Sequence, residues 1–248
     1  MKVYVGCCGF AKSMKVYFET YDTVEIQKTF YRLPRESTLE KWRESAHPSF
    51  IFNLKVFQGI THDVKSPTWR RSGIKNYHEL SGKVGYLRPT EEVFSYWEKM
   101  LKYARILKAR VLIIQLPASF KDTEENWRNA ENFFAGIDRD DFLLGIELRG
   151  WSPERVEKFC RKFVLIDVCD PMVRKPTFLE AGVAYFRLHG SYERGKINYR
   201  HRYTDEELQK LAELLTGLEE VKEVFLLFNN VYMAEDALRF RKIWEAYK

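Results

Sequence analysis

Residues 142–149 read Phe-Leu-Leu-Gly-Ile-Glu-Leu-Arg. The segment is apolar or glycine until Glu147, and Arg149 follows two positions later. A strand covered on both faces of a sheet reads apolar throughout, so charges at its C-terminal tip need a reason. The same form recurs along the chain. TVEIQ ends at Gln27, FIFNLK at Lys55, VLIIQ at Gln115, FVLID at Asp167, VAYFRLH at His189 and VFLLFNN at Asn230, while VYVGCCG ends at Gly9. One site ringed by strand ends accounts for all of these, and that is where a (β/α)8 barrel keeps its chemistry.

The rest of the chain fits this frame. Strands are expected at 2–8, 23–27, 50–56, 110–116, 142–148, 163–168, 183–189 and 223–229. Helical periodicity fills most gaps: 37–47, with Ser37 and Glu40 spaced as a capping box, then 90–108, 123–134, 152–162, 204–218 and 234–247. Thr90, Thr123, Ser152 and Thr204 stand where N-caps belong. The crossovers 10–22 and 169–182 are weak as helices. Strands alternating with helices imply parallel pairing. The expected architecture is a single α/β domain over 1–248, a (β/α)8 TIM barrel with an enlarged loop after the third strand. That loop, 57–90, far exceeds the usual connection and reads as a lid or binding loop.

Composition narrows the partners. The chain has 248 residues with 41 Lys plus Arg against 35 Asp plus Glu, a net charge of +6. This basic balance favours a small anionic ligand and admits nucleic acid. Charged residues at 31% also match a thermophile-like surface. The four cysteines lack CxxC spacing, which fits reduced thiols and a cytoplasmic location. The N-terminal MKVYVGCCGF has no signal-peptide pattern, and no apolar run reaches the ~18 residues of a membrane span.

Period-2 alternation assigns faces. Glu25 pairs with Gln27, Asn53 with Lys55, Glu147 with Arg149, and Arg187 with His189, and each pair is expected to face the barrel mouth. Glu25, Lys55, Glu147, Asp167, Arg187 and His189 should converge there. A salt-bridge plug is the bland alternative, but burying charges is a poor route to stability. Glu25, Lys55, Glu147 and His189 are the candidate catalytic residues. Lys55 reads either as a base or Schiff-base nucleophile with lowered pKa, or as a permanent cation anchoring a substrate. Nearby acidic groups favour the second reading. Lys55 and Glu147 should then tolerate apolar replacement without loss of fold. Gln27, His62, Gln115, Arg149, Asp167, Arg187, Tyr199, Tyr203 and Asn229 are the candidate substrate-binding residues. His62 and His189 can titrate near neutrality. The 190–203 loop adds Arg194, Lys196, Arg200, His201 and Arg202 beside Tyr192, and its Gly190 and Gly195 would let the backbone approach a phosphate. Glu25, Glu147, Asp167 and His189 also form a mixed donor set for a divalent metal. No motif of the HExxH kind supports that reading, so a metal is not favoured and no cofactor is assigned.

With these blocks in place, the chain resembles the YecE-like family, domain of unknown function 72. The resemblance rests on Gly6-Cys-Cys-Gly9-Phe10, Glu25-Ile-Gln27-Lys-Thr-Phe30-Tyr31 with Pro34, Phe52-Asn-Leu-Lys55, Thr61-His62, Gln115-Leu-Pro117 with Phe120, Glu147-Leu-Arg149-Gly-Trp151, Arg187-Leu-His189-Gly190, Tyr199, Arg202-Tyr203 and Phe228-Asn229-Asn230. It covers nearly the whole length. It implies a TIM barrel with a polar cavity at the C-terminal face and supplies no reaction. Phe10, Gln27 and Gly150 depart from the family pattern, which more often has Trp, Asn and His there. The last departure argues against a mechanism that needs a histidine at that point.

Three function classes follow. The favoured one is an enzyme acting on a small phosphorylated or carboxylated substrate by acid–base chemistry. The second is a metal-dependent phosphodiesterase or nuclease. The third is a non-catalytic module that binds nucleic acid or a partner through the 57–90 and 190–203 loops.

Overall fold

The computed structural model describes residues 1–179, 181–193, 195–218 and 220–247. β1 (Lys2–Cys8), β2 (Thr23–Ile26), β3 (Ile51–Lys55), β4 (Val111–Leu116), β5 (Leu143–Leu148), β6 (Ile166–Cys169) and β7 (Val183–Leu188) are followed by a short hairpin, β8 (Ser191–Glu193) and β9 (Lys196–Asn198), and then β10 (Glu223–Phe228). All strands except the hairpin pair in parallel and close a barrel in the order β1-β10-β7-β6-β5-β4-β3-β2. The expected TIM barrel and its strand positions are therefore present.

Alternation sorts the strand residues into two cores. Val111, Ile113, Ile166, Val168, Tyr185, Phe225 and Leu227 pack together inside the barrel. The opposite faces, with residues such as Leu112, Ile114, Ile146 and Leu226, join the helices in a larger outer core. The inner apolar layers fill most of the lower barrel, and the charged groups gather at the upper rim.

Gly6 of β1 shows how tightly the barrel closes. A Cβ at Gly6 would lie 2.0 Å from the Thr23 carbonyl oxygen of β2. Gly6→Ala must push two paired strands apart. It is expected to cost at least about 3 kcal/mol in denaturant unfolding, and a loss under about 1 kcal/mol would contradict so close a contact.

The helices begin where their caps dictate. The side-chain oxygens of Thr90, Thr123, Ser152 and Thr204 accept from backbone N–H groups of α5 (Glu91–Leu107), α6 (Glu124–Gly136), α7 (Pro153–Phe163) and α8 (Asp205–Thr216), and Thr204 with Glu207 forms a full capping box. The Ser37 capping box does not form. α3 (Glu36–Ser45) starts one residue earlier, with Arg35 at the N-cap and no side-chain cap bond. The first crossover holds α1 (Met14–Thr20) and the short α2 (Lys28–Tyr31) follows β2, whereas residues 170–179 of the sixth make turns and no helix. α9 (Met233–Glu245) closes the chain.

The long third loop is built rather than loose. α4 (Gln58–Thr61) is clamped by the loop's return: Gly85, Leu87 and Tyr86 donate to the carbonyls of Gly59, Ile60 and Thr61 at 2.7, 3.0 and 3.2 Å. Trp69 is fully buried, with its indole N–H on the His62 carbonyl at 3.0 Å. Val84 and Leu87 also enter the core. Too many buried apolar contacts hold this segment for it to act as a lid that opens freely. The four cysteines are free and buried. Among the described residues no helix is long and apolar enough to cross a membrane.

Candidate functional site

The upper rim carries a continuous ionic network. Arg187 of β7, 1% exposed, lies between two buried carboxylates. Its Nη2 is 3.0 Å from Glu25 Oε1, and its Nη1 donates to Glu147 Oε2 at 2.5 Å. Glu25 also accepts from Tyr185 Oη at 3.0 Å and from the Gln27 amide. Glu147 takes a further bond, at 2.5 Å, from Nε of Arg149. Burial opposes a charge on Glu147, but Arg149 and Arg187 overcome it and hold the carboxyl well below its ordinary pKa. Two carboxylates and two guanidiniums thus balance each other.

His189 continues the network upward. Its Nε2 is 3.2 Å from Arg149 Nη2 and its Nδ1 is 3.0 Å from the Asn229 side-chain amide. A guanidinium can only donate, so the Arg149 contact asks Nε2 to accept. The Asn229 amide nitrogen faces Nδ1, and Glu147 Oε1 lies 3.8 Å from Nε2, so the tautomer is set by which of these neighbours the ring engages. Burial, partly opposed by Glu147, lowers the His189 pKa and keeps the imidazole neutral.

Lys55 is the exception in this balanced set. It is 6% exposed, and among the described residues its amine has no ion pair or hydrogen bond. Its one close contact is the face of Phe30, with Nζ 3.8 Å from the ring centroid. Burial first, and then repulsion from Arg187, pull its pKa from near 10.5 to about 7. The carboxylates expected to keep it charged are occupied by the arginines. The lowered pKa favours the reading of Lys55 as a base or nucleophile over that of a permanent anchoring cation.

A cavity of about 600 Å3 opens beside the network, beneath the β8–β9 hairpin. Glu147, Arg149 and Asp170 form its polar floor, Trp151 an apolar wall, and Tyr192, Lys196 and Tyr199 its hairpin side. Asp170 accepts backbone N–H bonds from Met172 at 3.0 Å and His189 at 3.1 Å. Burial nevertheless raises its pKa to about 6.

Several expected residues lie elsewhere. Asp167 faces away from the mouth, because Ile166 and Val168 hold the inward positions of β6. Arg174 grips its two oxygens at 2.6 Å each, and Thr177 donates to it through N–H and hydroxyl at 2.7 and 2.9 Å. It is the fastener of the helix-less sixth crossover. Asp167→Asn should cost about 2 kcal/mol in unfolding free energy, since hydrogen bonds to a charged group are lost, and leave cavity ligands unaffected. Weakened ligand binding in a normally stable Asp167→Asn protein would restore Asp167 to the site.

Arg187 is 1% exposed, with Nη1 on Glu147, Nη2 on Glu25 and its buried Nε without a partner, so it presents no open face to an anion. Tyr203 is buried, its hydroxyl bonded to the N–H of Gly190 at 2.8 Å. Gly190, at φ 105°, accommodates the hairpin: a Cβ would meet the Asn198 carbonyl at 2.3 Å. That N–H is therefore not offered to a phosphate. In the 190–203 loop, His201 pairs with Glu207, Arg202 lies over Tyr232, and Lys196 lines the cavity. Arg194 lies outside the described residues. His62 bonds Thr61 Oγ1 at 2.8 Å, and burial together with Lys55 lowers its pKa to about 3. It stays neutral and does not titrate near neutrality. Gln115 donates to its neighbour's carbonyl, Leu116 O, at 2.8 Å, and Asn53 braces Thr23 and the Val111 N–H. Asn229 orients His189, and Tyr199 meets His189 edge-on at 6.0 Å.

Comparison with known proteins agrees with this architecture. The chain is 24% identical to the UPF0759 protein YunF of Bacillus subtilis (strain 168), covering 92% of this chain and 88% of that one. A DUF72 family protein of Thermotoga maritima MSB8 superposes with a TM-score of 0.73 at 24% identity, over 99% of this chain and all of that one. One from Enterococcus faecalis V583 gives 0.74 at 18%, over 98% and 95%. Endonuclease IV from Thermus thermophilus shares the fold more distantly, at TM-score 0.56 and 13% identity, over 99% and 98%. The model of the family described as "Protein of unknown function DUF72" matches residues 3–248, and the chain belongs to that family.

Proposed function

We propose that the protein is an enzyme that converts a small anionic substrate, phosphorylated or carboxylated, by acid–base chemistry in the mouth of the barrel. The observation that carries this reading is Lys55. A buried amine kept only for structure would be paired, whereas this one is unpaired and poised at about 7. Asp170, raised to about 6, stands on the cavity floor. Groups tuned to exchange protons near neutrality are what general acid–base catalysis requires. With the Glu25–Arg187–Glu147–Arg149 set internally balanced, protonated Lys55 adds one positive charge at the rim, which Asp170 offsets only where its carboxyl is ionised. Lys196 adds a further cation at the cavity, and an anion of metabolite size fits about 600 Å3.

A metal-dependent phosphodiesterase draws on the fold shared with endonuclease IV. It is the weaker reading, because among the described residues no three His, Cys, Asp or Glu side chains gather as a donor set. Glu25 and Glu147 would have to give up their arginines.

Thermal-shift titration tests the proposal. Inorganic phosphate, phosphorylated metabolites and small carboxylates should raise the melting temperature in a salt-sensitive way, and size-matched neutral sugars should not. Arg149→Met should lose the effect while still folding. Equal shifts with anions and neutral sugars, or none with either, would remove the case for an anionic substrate.

A further inference from the structure

We propose that Lys55 is an imine-forming nucleophile, and that the substrate carries an aldehyde or ketone carbonyl close to its anionic group, as in a 2-oxo acid. The inference rests on the anionic-substrate reading and narrows it. Nucleophilic lysines need three things: a free lone pair, no carboxylate fixing the ammonium, and surroundings that disfavour the charged form. The described structure supplies all three. The carboxylates that could pair with Lys55 are already engaged, Glu25 by Arg187, Tyr185 and Gln27, and Glu147 by Arg187 and Arg149. The amine end is not among the fully sealed polar atoms that lack a partner, so part of its surface reaches solvent, while Lys55 as a whole is 6% exposed and lies outside the lining of the 600 Å3 cavity. Phe30 packs on one side of it, itself held edge-on by His62 at 4.9 Å. An aromatic face favours a cation, whether ammonium or iminium.

The chemistry balances. The amine lone pair attacks the carbonyl carbon and the C=O π electrons move onto oxygen. One N–H proton transfers to that oxygen, giving a carbinolamine. A second proton releases the hydroxyl as water, the C–O bond breaks, and nitrogen closes the C=N bond as an iminium. Ammonium plus carbonyl therefore become iminium plus water with charge conserved, and no oxidant or metal enters. The iminium carries the single positive charge that Lys55 contributes to the mouth. It makes the adjacent carbon's proton or substituent easier to remove, which suits isomerase or lyase chemistry.

The test uses the intact protein, glyoxylate and pyruvate as probes, and sodium cyanoborohydride to fix any imine as a secondary amine. Intact mass and peptide mapping then locate the adduct. Exposed lysines ionise near 10.4, so at pH 7 Lys55 offers about a thousandfold more free amine than each of them. Lower basicity reduces intrinsic nucleophilicity and offsets part of this. An excess of about tenfold in labelling at Lys55 is expected, rising with pH through about 7. Lys55→Arg and Lys55→Met should lose that adduct and keep the background. Mapping the wild-type adduct decides the matter even if a variant misfolds. Labelling spread evenly over the lysines overturns the proposal. Anion-dependent stabilisation without a Lys55 adduct overturns the imine and leaves the anionic-substrate reading standing. A Lys55 adduct formed equally well with neutral acetaldehyde, and without any anion effect, supports the nucleophile and overturns the anion.

Discussion

Arg187→Met is expected to lower the melting temperature by about 10 °C. Among the described residues Arg187 is the only partner that Glu25 and Glu147 share, and all three are buried. Its removal leaves Glu25 with the Tyr185 hydroxyl and the Gln27 amide, neither of them charged. Breaking a buried ion pair from one side costs about 3–5 kcal/mol. In a chain of this length each kcal/mol is worth about 2–4 °C. The informative control is Glu25→Leu with Glu147→Leu and Arg187→Met together. Removing Arg187 together with both of its carboxylates should recover much of the lost stability, with Lys55 and Arg149 left as the remaining cations of the rim. A triple variant as unstable as Arg187→Met would mean that the network is a structural plug. An Arg187→Met protein within about 1 kcal/mol of wild type would mean that the ion pairs contribute little.

The network also marks where the sequence is readable. In TVEIQ, FLLGIELR and VAYFRLH, two polar residues at a spacing of two interrupt an apolar run. That spacing fixes which face is inward, and Glu25, Glu147, Arg149, Arg187 and His189 meet as that parity requires. FVLID has a single polar residue, and an apolar strand buried on both faces carries no parity signal. The inward assignment of Asp167 therefore fails, and Asp170, which has the same parity as Ile166 and Val168, escapes a reading of strand ends. The Ser37 capping box fails for a related reason, since the same local pattern lies two residues past the observed N-cap, Arg35.

The charge state of Lys55 is beyond the sequence for a different reason. Composition shows how many cations and anions reach the mouth but not how they pair. Had Glu25 or Glu147 faced Lys55, the amine would be a stable cation and Arg187 the strained one. Arginine's planar fork can hold two carboxylates at once, and β7 places Arg187 where it bonds to both. Lys55 is left over. Replacements of Lys55 and of Glu147, alike from the sequence, should therefore differ. Removing Glu147 strips Arg149 of its carboxylate and Arg187 of one of two, while removing Lys55 strips no side chain of a partner.

Lys55→Met should accordingly be more stable than the wild type, with a pH signature that identifies the cause. The folded pKa of Lys55, about 7, lies below its ordinary unfolded value near 10.5. Between these values the unfolded chain holds the proton and the folded chain does not. Wild-type stability from this residue therefore rises with pH through that window, and the full penalty is present below about 7. At pH 7 the penalty amounts to roughly 4 kcal/mol, of which methionine, close to lysine in length and apolar, should recover about 1–3 kcal/mol after repacking. The advantage of Lys55→Met over wild type should be greatest at pH 6–7 and shrink towards zero as pH approaches about 10. Taking the difference between the two proteins cancels the other titrating groups. A sharp loss of stability in Lys55→Met at neutral pH would assign the lysine to the structural plug. An advantage that stays constant with pH would show packing, rather than a poised amine, to be its origin.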